Sequence, residues 1–113
     1  MSEYFYPFDG RKHYKDLEKT QKDMFQAFKN FNNEIFEKES ALSKKMKELV
    51  AIGVAHTTQC PYCIEGHVRA AKKAGATDQE ITEVIFVAAA LRAGGAFAHS
   101  TIAMGVLNEM DKK

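Results

Sequence analysis

Both cysteines of this 113-residue sequence fall in one tetrapeptide, Cys60-Pro61-Tyr62-Cys63. The two-residue gap brings the sulfurs within disulfide reach across one helical turn. Pro61 suits the first position of a helix, where its missing N–H has no partner to lose. At a helix start the unpaired amides and the positive end of the dipole favour thiolate over thiol, and the thiolate is the reactive form. His67 follows Cys63 by four residues and therefore shares its helix face, within reach of a proton exchange with that sulfur directly or through a water. Glu48 precedes Cys60 by twelve residues. If the two helices pack as an antiparallel hairpin, its carboxylate can stand against His67, giving the carboxylate, imidazole and thiol order of an activated nucleophile.

Other readings of the same residues stay open at this point. A zinc site could use Cys60, Cys63 and His67 with Glu48 or His56, although structural zinc usually draws on two separated knuckles and the sequence has no second cysteine pair. Glu48 taken alone is a solvated helix residue four positions after Lys44. His56, one turn ahead of Cys60, reads as a cap on its own helix, with a share in the chemistry of the cysteine pair as its second reading. His99 lies among small residues, Gly94-Gly95-Ala96-Phe97-Ala98-His99-Ser100, and reads as a buried or interface histidine that could also line the pocket near the sulfurs. His13 reads as a surface residue.

These residues need helices to hold them. From about His13 to Lys38, apolar residues recur at Leu17, Met24, Phe28, Phe31 and Ile35, with Phe25 and Phe36 alongside, which is the period of one long amphipathic helix. Before it, Pro7 and Gly10 mark irregular chain whose aromatics Tyr4, Phe5, Tyr6 and Phe8 are expected to pack on the body or on a neighbouring subunit. Ser43 is an N-cap for a second helix to about Thr57, nearly continuously apolar toward its end and so buried on several sides. A third helix is expected from about Pro61 to Ala74, stopped by a left-handed Gly75. Thr77 and Glu80 form a capping box for a fourth helix to about Arg92. After Gly94-Gly95 a last helix runs to about Asn108. No stretch alternates with period two, so the expectation is a single all-α domain over 1–113 with about five helices and a Cys-x-x-Cys at the start of a central one.

Composition narrows the function. The sequence is 45% hydrophobic and 27% charged, which excludes disordered and collagen-like classes. Lys and Arg against Asp and Glu number 10 to 9 up to Thr57 and 6 to 6 after it, leaving no basic half for nucleic acid or anionic lipid. The most apolar run, Val84 to Leu91, is eight residues, short of the ~20 that span a bilayer. The first 22 residues show no signal-peptide core. A cytoplasmic location follows as the expectation, and in a reducing compartment a close cysteine pair is redox-active or metal-binding more often than structural.

The pattern Glu48, eleven residues, Cys60, two residues, Cys63, three residues, His67 resembles the signature of the AhpD-like alkylhydroperoxidases of the carboxymuconolactone decarboxylase superfamily. The text around it, Met46-Lys47-Glu48-Leu49-Val50-Ala51 and Cys60-Pro61-Tyr62-Cys63-Ile64-Glu65-Gly66-His67, is similar to that family across about Ser43 to Met104. The resemblance implies an AhpD-like helical fold, homotrimers or hexamers, and cofactor-free, peroxiredoxin-type reduction of hydroperoxides. It further implies that Cys63 attacks the peroxide, Cys60 resolves the sulfenic acid, Glu48 and His67 relay the proton, and an external dithiol reduces the resulting disulfide. The residues themselves leave the direction of attack open, because the first sulfur of such a pair is usually the more exposed and the better stabilised by the dipole. Tyr62 departs from the family, whose founding peroxidases carry histidine there. That departure supports a thiol–disulfide oxidoreductase with little peroxidase activity as the alternative, ahead of a decarboxylase-like enzyme or a metal-binding redox sensor.

Overall fold

Ser43 starts the packed part of the chain: its Oγ accepts the Met46 N–H at 3.1 Å and caps α3, Lys44–Thr58. The computed structural model describes residues 6–7 and 9–112. A 3-10 turn, Gly10–His13, leads into α1, Tyr14–Thr20, and α2, Lys22–Phe36. After α3 come α4, Pro61–Lys73, and α5, Asp78–Asp111. The fold is all-helical, and the described residues contain no strand.

The core lies where α3 meets α4 and the first half of α5. Leu49, Ile52, Ala71, Ala76 and Ile81 form one buried cluster, with Val68, Val84 and Ile85 packed against it. Ile52 and Ala71 are fully buried. Complete burial of an isoleucine side chain contributes roughly 1.5–3 kcal/mol, so the middle of α3 anchors the fold. Gly53 lets α5 approach, since a Cβ there would sit 3.3 Å from Val84 Cγ1. α3 ends on Gln59, in the left-handed conformation at φ 59°, and this residue turns the chain into the cysteine motif.

The helix ends follow the sequence closely here. Gly75 takes φ +99° after α4. Thr77 Oγ1 accepts the Glu80 N–H at 3.0 Å while Glu80 Oε1 accepts the Thr77 N–H at 2.9 Å, completing the expected capping box. Lys45 of α3 reaches Glu80 Oε2 at 2.8 Å, and its hydrogen bond, helped by the Thr77 N–H, holds the Glu80 carboxyl below its ordinary range.

Two expectations are corrected. The long helix from His13 to Lys38 is broken at Gln21 (φ −142°, ψ 68°) into α1 and α2. Thr20 Oγ1 donates back to the Asp16 and Leu17 carbonyls, a contact that bends or interrupts helices, and the apolar period alone does not report it. Conversely, Gly94-Gly95 does not separate two helices: α5 runs unbroken through both for 34 residues. Glycine lowers helix stability by roughly 0.5–1 kcal/mol relative to alanine but does not forbid the conformation, and the alanine-rich surroundings continue the helix.

As a result α5 is long and apolar enough to cross a membrane by length and composition, with a mean hydropathy of 1.6 in its most apolar window. The eight-residue run in the sequence gives no hint of this, because the flanking residues of the helix are of mixed character and are joined to it only by the unbroken helix. From Ala89 to Asp111 every residue of α5 is exposed, including Leu91, Phe97, Ile102 and Leu107. The exposed surface is 8995 Å², against about 6,200 Å² for a compact monomer of this size. The radius of gyration is 19.3 Å, against roughly 13 Å for such a monomer.

Of the N-terminal aromatics, Tyr4, Phe5 and Phe8 lie outside the described residues. Tyr6 packs edge-on against Tyr62 with ring centroids 5.1 Å apart.

Candidate active site

Glu48 is the buried charged residue of α3, and its Oε1 lies 2.6 Å from His67 Nδ1 on α4. The hairpin of α3 and α4 thus makes the contact that the spacing allows. A carboxylate only accepts, so Nδ1 carries the proton toward Glu48 and Nε2 is left as the ring's basic nitrogen. The ring is also held from outside the hairpin. Phe36, the last residue of α2, lies against it with centroids 4.9 Å apart. Lys47, one residue before Glu48, fixes that end of α2 by donating from Nζ to the Ile35 and Lys38 carbonyls at 2.7 and 2.8 Å.

Cys60 and Cys63 are joined as a disulfide with Cα atoms 5.3 Å apart. Cys60 is the N-cap of α4: its Sγ accepts the Cys63 N–H at 3.2 Å, and Pro61 occupies the first helical position. In the reduced state that amide would stabilise a Cys60 thiolate, while His67 lies one turn beyond Cys63 on the same helix. Both cysteines are half-buried. They share a cavity of about 370 Å³ with Glu48, His67, Phe36 and Arg11, whose wall also includes Tyr14 and Asn32. Tyr14 and Asn32 also line a larger groove of about 650 Å³ between α1 and α2, floored by Leu17, Met24, Phe25 and Phe28.

The structure therefore brings together Glu48, Cys60, Cys63 and His67. The other histidines stand apart from the cavity. His56 Nδ1 lies 2.8 Å from the Ile52 carbonyl of its own helix, and His99, on the exposed part of α5, makes the same kind of contact with Gly95 at 2.8 Å. His13 is exposed, 3.6 Å from Asp16. Among the described residues, no group of three His, Cys, Asp or Glu side chains is placed to hold a metal ion. The sequence reading missed two parts of the site, Phe36 and Arg11. Gly66, inside a helix between Cys63 and His67, was the available signal for Arg11. A Cβ at Gly66 would stand 2.7 Å from Arg11 Nη2.

Residues 22–105 match the model of the Carboxymuconolactone decarboxylase family, and the chain belongs to that family. It is 55% identical over 73 residues to "Uncharacterized protein 4 in cox locus" of Paracoccus denitrificans, a match that covers 65% of this chain and 66% of that protein, just under two thirds of its length. Among solved structures it is similar to an apo carboxymuconolactone decarboxylase family protein from Legionella pneumophila (30% identity, TM-score 0.68, 74% of this chain and 73% of that one). A protein from Methanobacterium thermoautotrophicum is alike over 77% of this chain and 97% of its own, at 29% identity and TM-score 0.70.

Proposed function

We propose that the protein is a cysteine-dependent peroxidase of the AhpD-like type that reduces organic hydroperoxides through the Cys60–Cys63 pair. The observation that carries this reading is the Glu48 carboxylate on His67 Nδ1 at 2.6 Å in the same cavity as both sulfurs. A thiolate on Cys63 attacks the distal peroxide oxygen: the S–O bond forms, the O–O bond breaks, and the leaving alkoxide takes a proton from the imidazolium of His67, which Glu48 stabilises. The product is a sulfenic acid on Cys63. Cys60 then attacks that sulfur, the disulfide forms and water leaves. An external dithiol exchanges with the disulfide to restore both thiols and is itself oxidised.

The test is stoichiometric. Reduced protein receives one equivalent of cumene hydroperoxide, and free thiols and peroxide are followed together. Two thiols lost per peroxide, at a rate well above that of free cysteine, support the peroxidase. A second reading, thiol–disulfide exchange with little peroxidase activity, is favoured by Tyr62, which occupies the place between the sulfurs where the founding peroxidases have histidine and is packed against Tyr6. Thiols inert to peroxide but rapidly oxidised by a small disulfide would establish that alternative.

The same proposal includes a cytosolic homo-oligomer, with a trimer or hexamer implied by the family resemblance. About 2,800 Å² of surface beyond that of a compact monomer is several times the ~800 Å² per partner of a standard interface. The uncharged stretch of α5 from 93 to 108 and the apolar α1–α2 groove are the surfaces a second copy would cover. Light scattering on the purified protein should give a multiple of 12.7 kDa; a monomer at micromolar concentration would overturn this part.

A further inference from the structure

Arg11 reaches the cysteine helix from the 3-10 turn that precedes α1. Its Nη2 donates to the carbonyl of Tyr62, the residue next to Cys63 in the first turn of α4, and its Nη1 stands 3.5 Å from Glu65 Oε1. Two glycines make room for this approach. A Cβ on Gly10 would collide with the Tyr62 hydroxyl, and one on Gly66 would sit 2.7 Å from Arg11 Nη2. The proton relay between Glu48 and His67 uses none of these contacts.

Charges of both signs surround the pair. Glu65, whose side chain is 18% exposed, is shared: Oε1 faces Arg11 and Oε2 faces Arg69, each at 3.5 Å. Glu48 is bonded to His67. Glu37, after α2, and the Tyr14 hydroxyl of α1 complete the ionisable groups of the cavity wall, with Tyr62 itself on α4. Arg11 nevertheless sets its own positive charge directly on the first turn of α4, where the sulfurs lie, and its sign matches that of the helix N-terminus.

We propose that Arg11 is a positioning residue for the cysteine pair: seated on Tyr62 in the space left by Gly66, it favours the thiolate over the thiol and so makes the disulfide easier to reduce. The proposal rests on reading Cys60 and Cys63 as a dithiol–disulfide couple, but not on peroxide being the oxidant. A stabilised thiolate reacts at lower pH, and a stabilised reduced form raises the reduction potential of the pair.

The experiment measures alkylation of the fully reduced chain by iodoacetamide from pH 5 to 10, resolved for each cysteine by mass spectrometry, together with the disulfide equilibrium against glutathione. Arg11→Gln and Gly66→Ala should each shift the alkylation profile to higher pH, slowing the more reactive cysteine roughly three- to tenfold below its pKa while leaving the high-pH plateau unchanged. Arg11→Lys, which keeps the charge without the fork, should recover most of the shift. The glutathione equilibrium should move toward disulfide by a similar factor in Arg11→Gln. Gly66→Ala acts on the guanidinium from α4 and introduces a better helix former, so it tests the idea even if Arg11→Gln loosens the N-terminal turn. Profiles that superimpose within twofold for both variants, or a lowered plateau with no lateral shift, would overturn the proposal. If no protein in the set exchanges disulfide with glutathione, the redox-couple reading fails, and the alkylation profile still decides whether Arg11 sets the thiol.

Discussion

Replacing Glu48 with glutamine removes one negative charge and almost no volume, so it isolates what the carboxylate does to His67. Glu48 is 8% exposed and meets Nδ1 at 2.6 Å, so the pair is a partly desolvated charge-assisted hydrogen bond. Such bonds contribute about 1.5–3 kcal/mol, and a neutral amide in the same place retains roughly half. On the proposed mechanism the imidazolium that protonates the leaving alkoxide is therefore less stable in Glu48→Gln by about 0.8–1.5 kcal/mol, which at 1.4 kcal/mol per decade corresponds to a roughly three- to twelvefold slower peroxide step. The assay is a single turnover: reduced protein mixed with excess cumene hydroperoxide in a stopped-flow instrument, with disulfide formation followed at fixed pH. Alkylation of the variant's thiols by iodoacetamide is run beside it, to separate loss of thiolate from loss of the acid. A rate within twofold of the unmodified protein, with the fold intact by circular dichroism, would refute the relay.

Cys63→Ser should abolish peroxide consumption, whereas Cys60→Ser should still form one equivalent of sulfenic acid, trapped with a dimedone probe; the opposite pattern reverses the two roles. Ile52→Ala, at a fully buried position, should destabilise the protein by about 2–5 kcal/mol in urea unfolding. Glu80 has a carboxyl pKa held down by Lys45 and the Thr77 N–H, so its contribution is present above the ordinary glutamate value near 4.5 and fades as pH falls through the lower folded value. Thermal unfolding should accordingly show an acid-side loss of stability below pH 4.5 that is shallower in Glu80→Gln.

What could be seen in the sequence was what local rules govern. Ser43, Pro61, Gly75 and the Thr77–Glu80 box mark helix ends because each acts on backbone groups within a few residues. The four site residues were visible because two rigid helices convert spacing into geometry. Gln21 escaped because the interruption is made by Thr20 bonding back to Asp16 and Leu17, residues whose apolar period continues on both sides. Gly94-Gly95 misled in the other direction, since a glycine pair ends a helix only where the chain needs a left-handed turn, as at Gly75. Arg11 lies 51 residues from Tyr62, and no spacing rule links an irregular N-terminal turn to the helix it covers.

The stretch of α3 between Glu48 and Gln59 acts as a measuring rod. At ~100° of rotation per residue, deleting or inserting a single residue there would swing the carboxylate about a quarter turn away from His67 while leaving every motif residue in the chain. The exposed stretch 39–42 carries no such phase, because the Lys47 bonds fix α2 to α3 on their own. Length variation should be tolerated before Ser43 and lethal to the relay after Glu48, and an engineer moving this site to another scaffold must transplant the helix and its register rather than four side chains.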